Sequence, residues 1–258
     1  MTTLARLGVI TRSLDTSLTS LARRPDIAVE VKFYRERIET IKSVDDFLGN
    51  DRVFRFAMKA FGLGDFSYAK AFMRRVLNEG TDAPRAFANQ LTDGRYREFA
   101  ETFNFQRYGE TATIFDRTRQ GTIDRYLRQS LEEEEGARNE SVRLGLYFER
   151  KAGGIDGPFD ILSDKALTQF IYTALGLPAA TSAMNIDRQA DLLSSRLDFT
   201  QLKSPESVTR LLVRFAALAD SKSTAPSTAG QLLLPGAASA GIGVDLLLAV
   251  QRSRSGRL

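Results

Sequence analysis

The sequence predicts an all-α fold: a multi-helix bundle built from two related helical units, with an apolar helical stripe at the N-terminus and a tethered apolar helix at the C-terminus. Three observations carry this expectation. Apolar residues recur at spacings of three and four along most of the 258 residues, the period of one helix face. Ser, Asn, Asp and Gly punctuate those stretches where helices start and stop. No sustained alternation of apolar and polar residues is bounded by hairpin turns, so strands have no signal.

Taken in order, Leu4, Leu7, Ile10, Leu14, Leu18 and Leu21 form one stripe of a helix over 3–22, ended by Pro25. A stripe this regular calls for a partner helix, from this chain or another. A second helix over 26–40 carries Phe33 and Tyr34. Ser43 reads as the N-cap of a short turn and Asn50 as the cap of a helix over 51–61. In that helix Val53, Phe56, Ala57, Ala60 and Phe61 make a strong apolar face, Gly62 suits the left-handed stop, and Leu63 the contact that follows it. A helix over 65–79 stops at Gly80, Asp82-Ala83-Pro84 opens a short one, and 95–103 puts Tyr96, Phe99, Ala100 and Phe103 on one face. Residues 122–135 are helical and end in the acidic run 132–135, with Gly136 as the break and Asn139 capping the next helix. Pro158 near a helix start, Asp164 as cap, Leu167, Phe170, Ile171, Ala174 and Leu175 as a face, and Gly176-Leu177 as stop complete a second unit. Helices over 185–197 and 204–218 follow, the latter with Pro205 at its first position. Residues 220–243 turn to Ser, Ala, Gly, Thr and Pro, the composition of a loose linker. The short apolar helix over 244–251 then precedes Arg252, Arg254 and Arg257.

The two units are related by a shift of 114 positions, which lays 32–63 on 146–177 without a gap. Phe33-Tyr34 fall on Tyr147-Phe148 and Ile41 on Ile155. Asp46, Leu48, Phe56, Ala60, Gly62 and Leu63 meet identical residues at Asp160, Leu162, Phe170, Ala174, Gly176 and Leu177. Matched caps, faces and stops point to internal duplication.

Composition removes many activities. With no Cys there is no thiolate nucleophile, thiolate metal site or disulfide, and with no His there is no imidazole base, Ser/His/Asp triad or His-ligated metal. A net charge of +4 without a basic stripe gives no footprint for nucleic acid. No stretch approaches the roughly 20 apolar residues of a membrane span, and none near the start has signal-peptide character. Asp45, Asp46 and Asp51 form the densest carboxylate group, but Asp near helix starts is stabilised by the helix dipole, and the spacing fails the calcium-loop pattern. Gly62-Leu63-Gly64-Asp65 follows a helix and lacks the Lys-Ser/Thr of a phosphate loop, so it reads as a stop followed by a start; Gly153-Gly154 has the same status. The run 132–135 reads as a solvated helix end, with a binding patch for a basic partner as the sharper alternative. The aromatic positions keep helical spacing and belong to the core. No catalytic, cofactor or metal-binding residue emerges.

Three segments together resemble a known family: 45–63 (DDFLGNDRVFRFAMKAFGL), 68–77 continuing to Arg95-Tyr96-Arg97-Glu98-Phe99-Ala100, and 142–152 (VRLGLYFERKA). They are similar to the bacterial family called domain of unknown function 1217, found largely in alphaproteobacteria and often encoded within flagellar gene clusters. The resemblance extends from about 26 to 220 and includes the Gly176-Leu177-Pro178 turn and the Asp187-Arg188-Gln189 helix start. It implies an all-helical fold and a link to flagellar assembly or motility, and supplies no catalytic residues.

The expected organisation is an N-terminal amphipathic helix (1–24), a first helical unit (25–109), a connecting helix (110–138), a second unit (139–220) and a linker with the apolar helix (221–258). The expected function is a non-enzymatic structural or assembly component associated with the flagellum; the alternative is a cytoplasmic export chaperone or regulator that binds an amphipathic segment of a substrate. Partners are then other flagellar proteins or a second copy of the chain, with no cofactor, nucleic acid or membrane span. The place of work is the flagellum or basal body if the chain is exported without a cleaved signal, and otherwise the cytoplasm. The candidate interaction residues are Leu4, Leu7, Ile10, Leu14, Leu18 and Leu21 of the first stripe, and Val244, Leu246, Leu247, Leu248 and Val250 of the last.

Overall fold

Helix caps written in the sequence set most of the element boundaries in the computed structural model, which describes residues 1–224. Fifteen α-helices and five short 3-10 turns follow one another, and no strand occurs among the described residues. The chain runs through α1 (Thr3–Arg12), α2 (Leu14–Ala22), α3 (Pro25–Ile38), α4 (Val44–Gly49), α5 (Asp51–Ala60), α6 (Lys70–Glu79), α7 (Phe87–Gln90), α8 (Gly94–Thr102) and α9 (Phe105–Tyr108). The long α10 (Gln120–Arg138) leads into α11 (Glu140–Lys151), α12 (Pro158–Leu162), α13 (Lys165–Leu175), α14 (Ile186–Arg196) and α15 (Pro205–Thr224). Met1–Lys222 form one compact unit, and Ser223–Leu258 fall in a second, of which only the first two residues are described.

The expected caps are in place. Ser43 Oγ accepts from Asp46 N (3.1 Å), Asn50 Oδ1 from Val53 N (3.2 Å), Asn139 Oδ1 from Ser141 N (2.9 Å) and Asp164 Oδ1 from Ala166 N (2.8 Å). Each satisfies a backbone donor that the helix leaves unpaired. Gly62 (φ 69°) and Gly176 (φ 67°) take the left-handed stop, and behind them Leu63 N and Leu177 N each donate 2.8 Å back to Met58 O and Tyr172 O.

Packing centres on α10 and α11. α10 lies against α2, α3, α5 and α11, while α11 also meets α1 and α13. Two stacks of three rings cross this core. Phe56 lies between Tyr34 (4.3 Å, 16°) and Tyr126 (3.9 Å, 12°), and Phe170 between Phe148 (4.0 Å, 12°) and Phe215 (4.3 Å, 29°). Tyr34 and Phe56 stand 114 positions before Phe148 and Phe170. The third ring of each stack comes from an element outside the repeat. A loop bond recurs at the same shift, Lys42 N to Asp46 Oδ2 (3.2 Å) and Asp156 N to Asp160 Oδ2 (2.9 Å).

Five helix expectations need correction, the first being that Asp82-Ala83-Pro84 open no helix: they lie in a turn, and α7 begins only at Phe87. The single helix over 3–22 is two, because Ser13 breaks it and turns its hydroxyl onto Val9 O (2.8 Å); a hydroxyl bonding its own backbone competes with helix continuation. Pro25 opens α3 at its first position, where a missing N–H costs nothing. α6 begins at Lys70 instead of 65, after a 3-10 turn over Gly64–Phe66. Gly136 does not end α10, which continues to Arg138. A β-carbon at Gly136 would lie 2.7 Å from Arg143 Cδ, so the glycine admits the Arg143 stem.

The acidic run 132–135 is the largest departure. Glu132 is 1% exposed and Glu135 3%. Glu132 accepts from Arg128 Nε (3.1 Å) and from Arg150 Nε and Nη2 (2.8 and 2.7 Å). Glu135 accepts from Arg6 Nε (2.7 Å) and Nη2 (2.5 Å) and from Arg138. Only Glu133 and Glu134 keep the expected outward face, paired with Lys59 and Arg24. Buried carboxylates survive because two or more guanidinium donors satisfy each of them.

Candidate helix-docking groove

The N-terminal stripe is largely enclosed within the chain. Leu7, Ile10 and Leu21 are buried in the core, Leu14 and Leu18 are half-buried against it, and Leu4 stays 41% exposed. As a partner surface the stripe is therefore reduced to Leu4, since the other five meet α10, α11 and their neighbours. Val244, Leu246, Leu247, Leu248 and Val250 lie outside the described residues.

Leu4 borders a groove between α1 and α15. At one end they are joined: Asp220 near the end of α15 takes the first amides of α1, with Oδ1 accepting from Thr3 N (2.9 Å) and Oδ2 from Leu4 N (3.3 Å). A carboxylate there complements the positive end of α1. Away from that junction the facing surfaces leave a hollow of about 350 Å³. Its floor is Leu7, Ala152, Leu202 and Leu212, and its lips are Leu4, Gly8 and Thr11 on one side and Val208, Thr209 and Val213 on the other. Along α15, Pro205, Val208, Thr209, Leu212 and Val213 keep the i, i+3, i+4, i+7, i+8 spacing of a helix face. Val213 is 47% exposed. Sequence reading missed α15 as part of this surface, although the same periodicity over 205–213 could have found it.

A second hollow, about 630 Å³, is polar and lies where the end of α5 meets α8, α10, α11 and the start of α13. Its charges largely neutralise one another. Glu98 takes Lys151 Nζ (2.8 Å) and Arg125, Asp93 takes Arg95 (2.7 Å), and Glu140 takes Arg143. Burial pushes the Glu98 carboxyl up, but Lys151 and Arg125 outweigh it and hold the group below its usual range. Burial and the nearby Asp164 carboxylate raise the Tyr147 hydroxyl, which donates to Asp164 Oδ2 at 2.5 Å. Since Asp164 also caps α13, this contact reads as a brace between α11 and α13.

The carboxylates singled out in the sequence stay apart in role. Asp45 pairs with Arg74 (2.8 Å), Asp46 accepts from Lys42 N, and Asp51 pairs with Lys70. Among the described residues no group of three His, Cys, Asp or Glu side chains is placed to hold a metal, and no helix is long and apolar enough to cross a membrane.

Comparison with known proteins agrees with this architecture. The model of the family described as Protein of unknown function (DUF1217) matches residues 60–208. A crystal structure of a protein from Agrobacterium tumefaciens is similar at a TM-score of 0.81 and 41% identity, covering 85% of this chain and 94% of that one. No curated protein matches.

Proposed function

The chain belongs to the DUF1217 family, and we propose that this member is a non-enzymatic structural or assembly component of the bacterial flagellum that works by packing helix against helix. The observation that carries this reading is the α1–α15 groove. Two helices are clamped at one end by Asp220 and leave apolar walls uncovered along the rest, a shape that a third helix completes. The flagellar setting rests on the resemblance of 45–63, 68–77 with 95–100, and 142–152 to a family often encoded within flagellar gene clusters. A chain without Cys or His, whose buried carboxylates are taken up by arginines, offers little to support catalysis.

The same groove supports a second reading, a cytoplasmic export chaperone that holds an amphipathic segment of a flagellar substrate. In the first reading the chain resides in the flagellum or basal body, exported without a cleaved signal; in the second it stays in the cytoplasm. We also read the repeated ring pairs, stops and Asp46/Asp160 bonds as support for two related packing units.

The test is a deletion strain complemented by wild type or by Leu4→Asp/Val213→Asp, scored for swimming, for flagella by electron microscopy, and for location by fractionation. Both readings expect the deletion to lose motility and the groove variant to fail to restore it. The chain in flagellar fractions supports the component; the chain confined to cytosol supports the chaperone. Normal swimming and normal flagella in the deletion strain overturn both.

A further inference from the structure

A separate pocket of about 300 Å³ lies between the turn after α6, α8, α9 and Arg117. It gathers three arginines, Arg97, Arg107 and Arg117, beside Tyr108 and the carboxylates Asp82 and Glu101. Asp82 is fully engaged. It takes Arg107 through two parallel bonds of 2.7 Å, and Asn104 Nδ2 at 3.2 Å. Asn104 is 2% exposed, and its Oδ1 accepts from Arg107 N (3.0 Å), so Arg107 is held from two directions.

Arg117 is held differently. Its guanidinium lies 4.7 Å from the Tyr108 ring and 4.6 Å from the Phe115 ring, and Nε donates to Thr102 O (3.2 Å). Arg117 also hydrogen-bonds the Tyr108 hydroxyl, whereas Arg97 makes no hydrogen bond or ion pair among the described residues. A guanidinium oriented by aromatic faces, a hydroxyl and one carbonyl presents its remaining donors with little rotamer entropy left to lose. The Tyr108 hydroxyl is more acidic than usual because Arg107 and Arg117 lie beside it, which reports positive potential at this spot. Arg97, and Arg117 with only neutral partners, carry no compensating carboxylate here, and against them stands one unengaged carboxylate, Glu101.

We propose that this pocket binds inorganic hydrogen phosphate. Planar guanidinium edges match the oxygens of a tetrahedral oxyanion two at a time, and Arg97 and Arg117 both line the pocket. Glu101 selects among oxyanions: at neutral pH hydrogen phosphate keeps one O–H to donate to a carboxylate, whereas sulfate has none and meets Glu101 as a like charge. The site is remote in sequence from the α1–α15 groove and does not depend on what fills it.

The test is calorimetric titration of the full chain with sodium phosphate and with sodium sulfate at neutral pH and constant ionic strength. Saturable phosphate binding is expected, at least about tenfold weaker for sulfate, and at least about tenfold weaker in Arg117→Gln and in Arg97→Gln. Glu101→Gln should narrow the gap between the two anions. Arg97 makes no hydrogen bond or ion pair among the described residues, so its replacement leaves the fold intact even where loss of the Arg117 stack does not. Absence of saturable phosphate binding up to about 10 mM, or binding unchanged in the Arg97 variant, overturns the site; equal binding of sulfate overturns the assignment to hydrogen phosphate.

Discussion

Leu7 of α1 rests directly on Gly145 of α11: a β-carbon on that glycine would lie 2.6 Å from one Leu7 methyl and 2.8 Å from the other. The approach seats α1 on the core and places Leu4 at the lip of the groove. Gly145→Ala should gain up to about 1 kcal/mol in helix propensity and lose about 1–3 kcal/mol to overpacking, for a net loss in urea unfolding. Gly145→Val, which gains less propensity than Ala and adds two more methyl groups against Leu7, should lose more. A stabilised Gly145→Val protein would show that α1 is not seated here.

Glu132 is enclosed by Arg128 and Arg150 with 1% of its surface exposed. Glu132→Ala leaves Arg150 with no carboxylate, only Gln129 Oε1, and Arg128 with Glu149 and Leu146 O, and should cost about 3 kcal/mol, read as a fall in thermal midpoint. Replacing all three together by Met and Leu should recover most of that loss, because an apolar cluster needs no charge compensation. A triple variant no better than Glu132→Ala would mean that the network is needed for the packing itself.

Phe56 and Phe170 occupy matched places in the two ring stacks, each between two rings within 4.3 Å. Truncation of either to Ala should cost about 3–5 kcal/mol, similar in size for the two. Denaturant midpoints decide the matter. A tolerated Phe170→Ala beside a severe Phe56→Ala would argue that the second unit only borrows the pattern.

Two carboxylates anchor α1, and their acidity predicts a pH response. Burial would raise Asp220, but the amides of Thr3 and Leu4 hold it below its ordinary value; the Arg6 bond does the same for Glu135 against the cost of its burial. Depressed carboxylates contribute stability that is complete above the unfolded carboxylate range and is lost as pH falls through the folded values. Amides of α1 should therefore exchange faster as pH drops below about 4, after correction for intrinsic rates. In Asp220→Asn the exchange should be faster at neutral pH and change less with acid. An α1 equally protected at both pH values in wild type would contradict the anchoring.

Helix punctuation was the most legible layer. Ser43, Asn50, Asn139 and Asp164 cap, and Gly62 and Gly176 stop, because each acts on backbone groups within four residues of itself. The groove was half legible: Leu4 stood out in the stripe, while Val208, Leu212 and Val213 went unremarked because nothing local pairs α15 with α1.

The sequence by itself determined that the chain is helical, where most helices begin and end, and that two stretches share one pattern of rings, caps and stops. These follow from local rules of backbone hydrogen bonding and from the 3.6-residue period. Tertiary structure decided that Glu132 and Glu135 are buried, that α10 runs through Gly136, and that the N-terminal stripe closes onto its own core and leaves Leu4 exposed. The partners responsible, Arg6, Arg143, Arg150 and the Gly145 surface, lie on other elements. Local composition carries no record of which face another helix will cover.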